Sequence, residues 1–196
     1  AICSAPWNDF QSVYDEFAEK LKWKQASYLS QEQERRRTQG SLPHEHYELA
    51  ELKHKLVDPT TKKPFPVRLI FVFSTADEKV TRQQREKQIT KIRSELDKIR
   101  LSVAGGNRST DPASIKRRVE RMMGSKASAK YFTYDMIPLT KSEQKKLPKP
   151  GLGRKLPEYR FEFKFDEAQQ KHDEKYDGLN VIVVTEPKRS IDDLFT

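Results

Sequence analysis

Cysteine is almost absent: Cys3 is the only one among 196 residues. A disulfide framework within the chain is thereby excluded, and so is a cysteine-rich zinc site. A reducing, cytoplasmic compartment is the expectation. No apolar run approaches the roughly 18 residues of a membrane span, which excludes a membrane partner of that kind. The start lacks a charged stretch leading into an apolar one, so no secretory signal is read. The first residue is Ala1 rather than Met, and a chain processed or cut from something longer is expected. Nucleotide and hydrolase signatures are missing too. There is no Gly-x-x-x-x-Gly-Lys-Ser/Thr phosphate loop and no Gly-x-Ser-x-Gly, and no nucleophile–base pair can be read from spacing. Gly151-Leu152-Gly153-Arg154 is flanked by prolines and reads as a linker. Hydrophobic residues reach only 35%.

Charge is what the chain has in quantity. Charged residues make up 34%, with 38 Lys and Arg against 29 Asp and Glu, a formal net charge of +9. The isoelectric point near 9.5 and mean hydropathy of −0.89 agree with a wet, basic surface. Such a balance favours polyanions, nucleic acid above all.

The patterning is that of a mixed α+β chain. Phe10, Tyr14, Phe17 and Leu21 form one helical stripe, with Asp9 as its cap. Two prolines in Asp58-Pro59-Thr60-Thr61-Lys62-Lys63-Pro64 break any helix there. The apolar run Val67–Phe73 after them suits a strand buried on both faces, so 46–74 reads as a hairpin. Ile89, Ile92, Leu96, Ile99 and Val103 mark the clearest helix, boxed at Thr81-x-x-Gln84 and ended by Gly105-Gly106-Asn107. Asp111-Pro112 opens a second helix with the stripe Ile115, Val119, Met122 and Met123, stopped by Gly124. A strand follows over Tyr131–Ile137. The Lys-, Pro- and Gly-rich stretch 140–157 reads as a long exposed connection. Tyr159, Phe161, Phe163 and Phe165 alternate with polar residues as a half-buried strand, then a short helix runs over Glu167–Lys175. Tyr176-Asp177-Gly178 turns the chain into a buried strand, Leu179–Val184. Ser190-x-x-Asp193 reads as a helix start of barely one turn, which points to truncation. No internal repeat is present.

The order of these elements resembles one family, on the phrase Lys164-Phe165-Asp166-Glu167-Ala168 followed by Lys175-Tyr176-Asp177-Gly178-Leu179-Asn180-Val181-Ile182-Val183-Val184-Thr185. Arg68-Leu69-Ile70-Phe71-Val72-Phe73-Ser74, leading into a Lys- and Arg-rich helix, adds to it. The chain from about Val67 onward is similar to the DDE transposases of bacterial insertion sequences, in the branch with a large β-rich insertion between the second Asp and the Glu. The resemblance implies an RNase H-like core in which two Asp and one Glu hold two metal ions. Carboxylates suit that role because Mg²⁺ prefers hard oxygen ligands. It places residues 1–175 in the insertion and 176–196 on a return strand and the start of the catalytic helix. All three metal ligands then fall outside the chain. Mg²⁺ is expected of the parent enzyme and no cofactor of this chain. The parent is a DNA strand-transfer enzyme, the chain alone is expected to be inactive, and other transposase subunits join DNA as expected partners. The strand Leu179–Val184 is expected to have its sheet neighbours elsewhere.

Two look-alikes are set aside. Asp58 resembles the first catalytic Asp but sits in a proline-bounded turn. Glu120 in Arg118-Val119-Glu120-Arg121 precedes the Tyr-Asp-Gly turn, whereas the family's Glu follows it. His44-x-His46 could chelate a metal on an extended strand, but spacing places no third ligand. The basic clusters remain: Arg35–Arg37, and as candidate DNA contacts Arg117, Arg118, Arg121, Lys145, Lys146, Lys149, Arg154 and Lys155. Lys and Arg along a DNA backbone give affinity without base reading. The alternative is a stand-alone basic α/β module for RNA or protein, with Tyr159–Phe165 stacking bases if exposed; the alternation aims those rings at a core instead.

Overall fold

The computed structural model describes residues 2–26, 39, 46–106, 111–124, 126–147 and 155–185. The strands are β1 (Ile2–Ala5), β2 (Lys24–Gln25), β3 (Tyr47–Val57), β4 (Pro64–Ser74), β5 (Phe132–Pro138), β6 (Tyr159–Phe165) and β7 (Leu179–Val184). The helices are α1 (Gln11–Phe17), α2 (Thr75–Ala104), α3 (Pro112–Met123), α4 (Lys141–Lys146) and α5 (Glu167–Glu174). The fold is mixed α+β. It forms two compact units, one of residues 1–81 with 176–196 and one of residues 82–175.

In the first unit the strands order as β1-β7-β4-β3-β2, with every neighbouring pair antiparallel. The hairpin expected over 46–74 forms, in register from Tyr47–Ser74 to Val57–Pro64. Its second arm is central because its apolar run must be covered on both faces. Val67, Leu69 and Phe71 pack with Val181, Val183 and Phe10 on one face. Ile70 and Val72 pack with Leu49 and Val184 on the other. Leu69, Ile70 and Phe71 are fully buried, each stabilising the fold by about 1.5–3 kcal/mol. The second face also takes in an ion pair. Arg68 donates from Nε to Glu51 Oε1 at 2.7 Å and from a terminal nitrogen to Oε2 at 3.0 Å. The Arg68 guanidinium holds the Glu51 carboxyl below its ordinary range by hydrogen bonding, against the opposing effect of burial.

Both edges of β7 are occupied by this chain's own strands, β1 and β4. The expectation of neighbours elsewhere is thus not met: a run apolar on both faces has to be an interior strand, and here it is one. Asp9 does not cap α1; it lies in a 3-10 turn, and the cap position is Phe10, whose side chain is buried.

In the second unit the α2 stripe packs as read. Ile89, Ile92, Leu96, Ile99 and Val103 form one cluster with Ile115, Val119, Tyr131, Phe132 and Phe161. The start of α2 differs from expectation. It begins at Thr75 directly from β4, with the Ser74 hydroxyl accepting from the Asp77 N–H at 3.2 Å. Thr81 and Gln84 therefore lie inside the helix. Its end is as expected: Gly106 adopts φ +63°, and its Cα lies so close to the Lys155 backbone that no side chain fits. The connection 140–157 is not all irregular. Thr140 and Glu143 build a reciprocal capping box that starts α4, a signal masked by the surrounding lysines and prolines.

Two predictions follow from the first unit. Gly178 has φ +76°, and a Cβ there would lie 2.5 Å from the Ser74 carbonyl oxygen. Gly178→Ala is expected to cost about 2–3 kcal/mol in urea unfolding, from backbone strain and a clash that no rotamer relieves. Arg68→Met alone leaves Glu51 uncompensated and costs about 1–3 kcal/mol, less than a fully buried pair because Glu51 keeps some exposure; adding Glu51→Leu restores most of it. A double variant no more stable than the single one would contradict this reading of the pair.

Candidate nucleic-acid interface

The charge is not spread over the chain. Residues 82–175 hold 24 Lys and Arg against 13 Asp and Glu, a net +11, while the first unit holds 14 against 16, a net −2. The positive excess of the chain thus lies in the second unit.

Within it, α3 is built to display cations. Asp111 caps the helix by accepting from the Ser114 N–H at 2.9 Å, and Pro112 takes the first helical position. Hydrogen bonds from Ser114 hold the Asp111 carboxyl below its ordinary value, with the Arg117 charge assisting. Gly124, at φ +46°, ends the helix. Ile115 and Val119 are buried. At 3.6 residues per turn that inward stripe sends Arg117 and Arg121 to the opposite pole and Arg118 to its flank, and all three are exposed. No carboxylate among the described residues forms an ion pair with them. Lys116 pairs loosely with Glu120 at 3.9 Å. Arg117 makes only long contacts to the Ala113 carbonyl and the Ser114 hydroxyl, at 3.4 and 3.5 Å. Three guanidinium groups on one exposed arc, each able to grip a phosphate with two donors, suit a phosphate backbone.

The remaining candidates are dispersed. Lys145 and Lys146 are exposed on the last turn of α4. Lys155 is exposed, with its backbone against Gly106 at the end of α2. Lys149, Arg154, Arg35–Arg37 and His44 lie outside the described residues. One group was not singled out from sequence: Lys87 and Lys91 on α2, exposed beside Gln83, Thr90 and Ser94, which line a shallow depression with them. Their signal was there, since these positions fall opposite the Ile/Leu stripe. Glu86 lines the same depression, so the two lysines there do not present a surface of one sign as the α3 arginines do.

Other sites carry less. A cleft of about 350 Å³ is floored by Ile89 and Phe165. Its rim sets Arg93 and Lys171 against Glu167 and Glu174, so it presents no field of one sign. Phe161 is buried, Arg93 covers the Phe165 ring at 4.9 Å and Arg100 the Phe163 ring at 5.7 Å. The β6 rings thus serve the core and cation–π contacts rather than base stacking. Asp58 closes its own turn, accepting from the Thr60 and Thr61 N–H groups at 2.8 Å. His46 lies 3.6 Å from Glu48. Among the described residues no group of three or more His, Cys, Asp or Glu is placed to share a metal ion. None of the described helices is long and apolar enough to cross a membrane.

A polar hub fixes α5. The Tyr131 hydroxyl donates to Asp173 at 2.7 Å, Lys130 pairs with the same carboxyl at 2.5 Å, and Gln169 donates to its other oxygen at 2.9 Å. Burial, then the Asp173 hydrogen bond, pushes the Tyr131 phenol up to about 12. Burial alone would raise Asp173; hydrogen bonds from Lys130, Tyr131 and Gln169 outweigh it and lower its carboxyl.

No protein-family model matches the chain, and comparison with curated proteins and with solved structures finds no match either.

The hub predicts a pH profile with two limbs. A lowered carboxyl stabilises the fold above its ordinary value of 3.8 and loses that contribution as pH falls through the folded value. A raised phenol stabilises below its ordinary value of 10.0 and loses that contribution as pH rises toward about 12. Tyr131→Phe is expected to flatten the alkaline limb and to cost about 1–2 kcal/mol at neutral pH, where a buried hydrogen bond to a charged group is lost. Thermal melts of both proteins from acid to alkaline pH check it. An unchanged alkaline limb would show that Tyr131 does not set it.

Proposed function

We propose that this chain is an internal fragment of a DDE transposase that includes its β-rich insertion, and that its second unit holds duplex DNA by contacts to phosphates. The observation that carries the DNA part is the net +11 of residues 82–175 beside −2 in the rest, with Arg117, Arg118 and Arg121 on one exposed arc.

Two features support the transposase part. The Tyr176-Asp177-Gly178 phrase is a tight turn at which only glycine fits, with Asp177 buried. The apolar segment ending in Phe73-Ser74 passes without a loop into the Lys- and Arg-rich α2. In this reading the catalytic carboxylates and their Mg²⁺ belong to the parent's core, and no catalytic step is assigned to the residues described. The contribution of this segment is affinity: Lys and Arg displace counterions from the duplex and hold it without reading bases.

A salt titration tests it. Binding to a duplex of about 30 base pairs is expected to fall linearly in log K against log salt, and Arg117/Arg118/Arg121→Ala to reduce that slope by about 2–3 units and weaken binding uniformly across sequences. A flat salt dependence, or a triple variant with the wild-type slope, overturns the proposal.

A further inference from the structure

The two helices that carry most cations of the second unit lie against each other. Ile92, Leu96 and Ile99 of α2 share a cluster with Ile115 and Val119 of α3. Beside that cluster α2 presents one flank at helical spacing: Gln84, Gln88, Lys91, Glu95, Lys98 and Ser102, at i, i+4, i+7, i+11, i+14 and i+18. Two observations turn this flank toward α3. The Gln88 side chain accepts from the N–H of Ser128, in the 3-10 turn that follows α3, at 3.2 Å. The charge of Arg118, on α3, acts on Glu95. The facing flank of α3 is Ser114, Arg118 and Arg121, at i, i+4 and i+7. Glu120 is on the other flank, toward β5, where its charge adds to burial in raising the Tyr134 phenol.

The seam between the helices therefore has cations on both walls, Lys91 and Lys98 on one and Arg118 and Arg121 on the other, and all four are exposed. Glu95 is the one carboxylate on either flank. It is half-buried, and Lys98 donates to it from Nζ at 2.6 Å. That hydrogen bond and charge hold the Glu95 carboxyl below its ordinary value against desolvation, and the charges of Arg118 and Lys91 add to the effect. An ordinary surface pair at i, i+3 joins one acid to one base. Here one carboxylate answers to three cations drawn from two helices.

We propose that phosphates of duplex DNA enter this seam, and that Glu95 holds their place in the free protein. A phosphodiester presents what a carboxylate presents, anionic oxygens to charged N–H donors. Without DNA the carboxylate keeps Lys91, Lys98 and Arg118 from repelling one another, in a unit of net +11. A phosphate that reaches the same cations meets the Glu95 charge as well, so the carboxylate is a brake on affinity. The inference rests on the DNA-binding reading above. It adds α2 as a second wall of that site and makes Glu95 the residue that sets its strength.

Glu95→Gln removes the charge and keeps a good helix former. It is expected to bind a duplex of about 30 base pairs about fivefold tighter at about 0.1 M salt, with the slope of log K against log salt steeper by about 1. Glu95→Ala is expected to reproduce the gain. Glu162→Gln removes the same charge from a surface pair with Arg160 on β6, and is expected to change affinity by less than about twofold, since charge away from the seam is screened. In a Lys91→Gln/Lys98→Gln/Arg118→Ala background, Glu95→Gln is expected to add less than about twofold, because the cations it releases are gone. Melts followed by circular dichroism check that each variant folds. Wild-type affinity and slope in Glu95→Gln, an equal gain from Glu162→Gln, or the full gain in the triple background overturns the role of Glu95. With a steep wild-type salt dependence retained, any of these leaves phosphate binding by α3 standing. A wild-type chain without salt-dependent binding overturns both.

Discussion

The constraint on which the first unit depends is the double-sided burial of β4. Val67, Leu69 and Phe71 on one face and Ile70 and Val72 on the other leave it no exposed side. A strand like that has to be interior, covered above and below and hydrogen-bonded on both edges. Its pairing with β3 and β7 follows, and β7, apolar on both faces in turn, draws in β1. Arg68 is the one charge in the run, and the sheet tolerates it because Glu51 meets it with two short, parallel hydrogen bonds. Such a pair adds little net stability over apolar residues of the same size, yet breaking it is costly. That asymmetry fixes register: a slip of one residue would carry Arg68 to the opposite face and leave both charges unpaired.

Periodic features were legible in the sequence because their physics is local. The β4 run, the alternation in β6, the Ile/Leu stripe of α2 and the Asp111-Pro112 start of α3 each place apolar side chains or a cap by spacing alone. What the sequence hid was decided over distance or by competition. The neighbours of β7 lie far away in the chain, and no local pattern states that Ile2 will sit beside Val184. The start of α2 moved to Thr75 because Ser74 ends a strand and caps a helix at once, whereas Thr81-x-x-Gln84 offers the same cap in a stretch already helical. Of the candidate site, the α3 arginines were legible as adjacent charges. Lys87 and Lys91 were not, because they are not adjacent in sequence and only the buried stripe behind them shows that they share a pole.

The second unit has to fold against its own charge. Net +11 over 94 residues repels itself at low salt. The structure keeps that repulsion in water and uses some cations inside the fold. Arg93 and Arg100 lie over Phe165 and Phe163, so two guanidinium groups help to cover the open side of the β5–β6 rings. Lys130 is neutralised by Asp173 within the hub that holds α5. The α3 arginines are not drawn into such roles. Their helix contributes Ile115 and Val119 to the core from its other face, so removing three charges leaves the packing intact. Binding and stability are therefore separable there, which is what a contact surface requires.

Each unit buries an apolar cluster of its own, one between α1 and the five-stranded sheet and one among α2, α3 and the β5–β6 hairpin. Each unit therefore has its own hydrophobic driving force. In the first, the double-sided burial that β7 requires is met from within: β1 and β4 fill both its edges, so neither edge is left open to a strand of another chain.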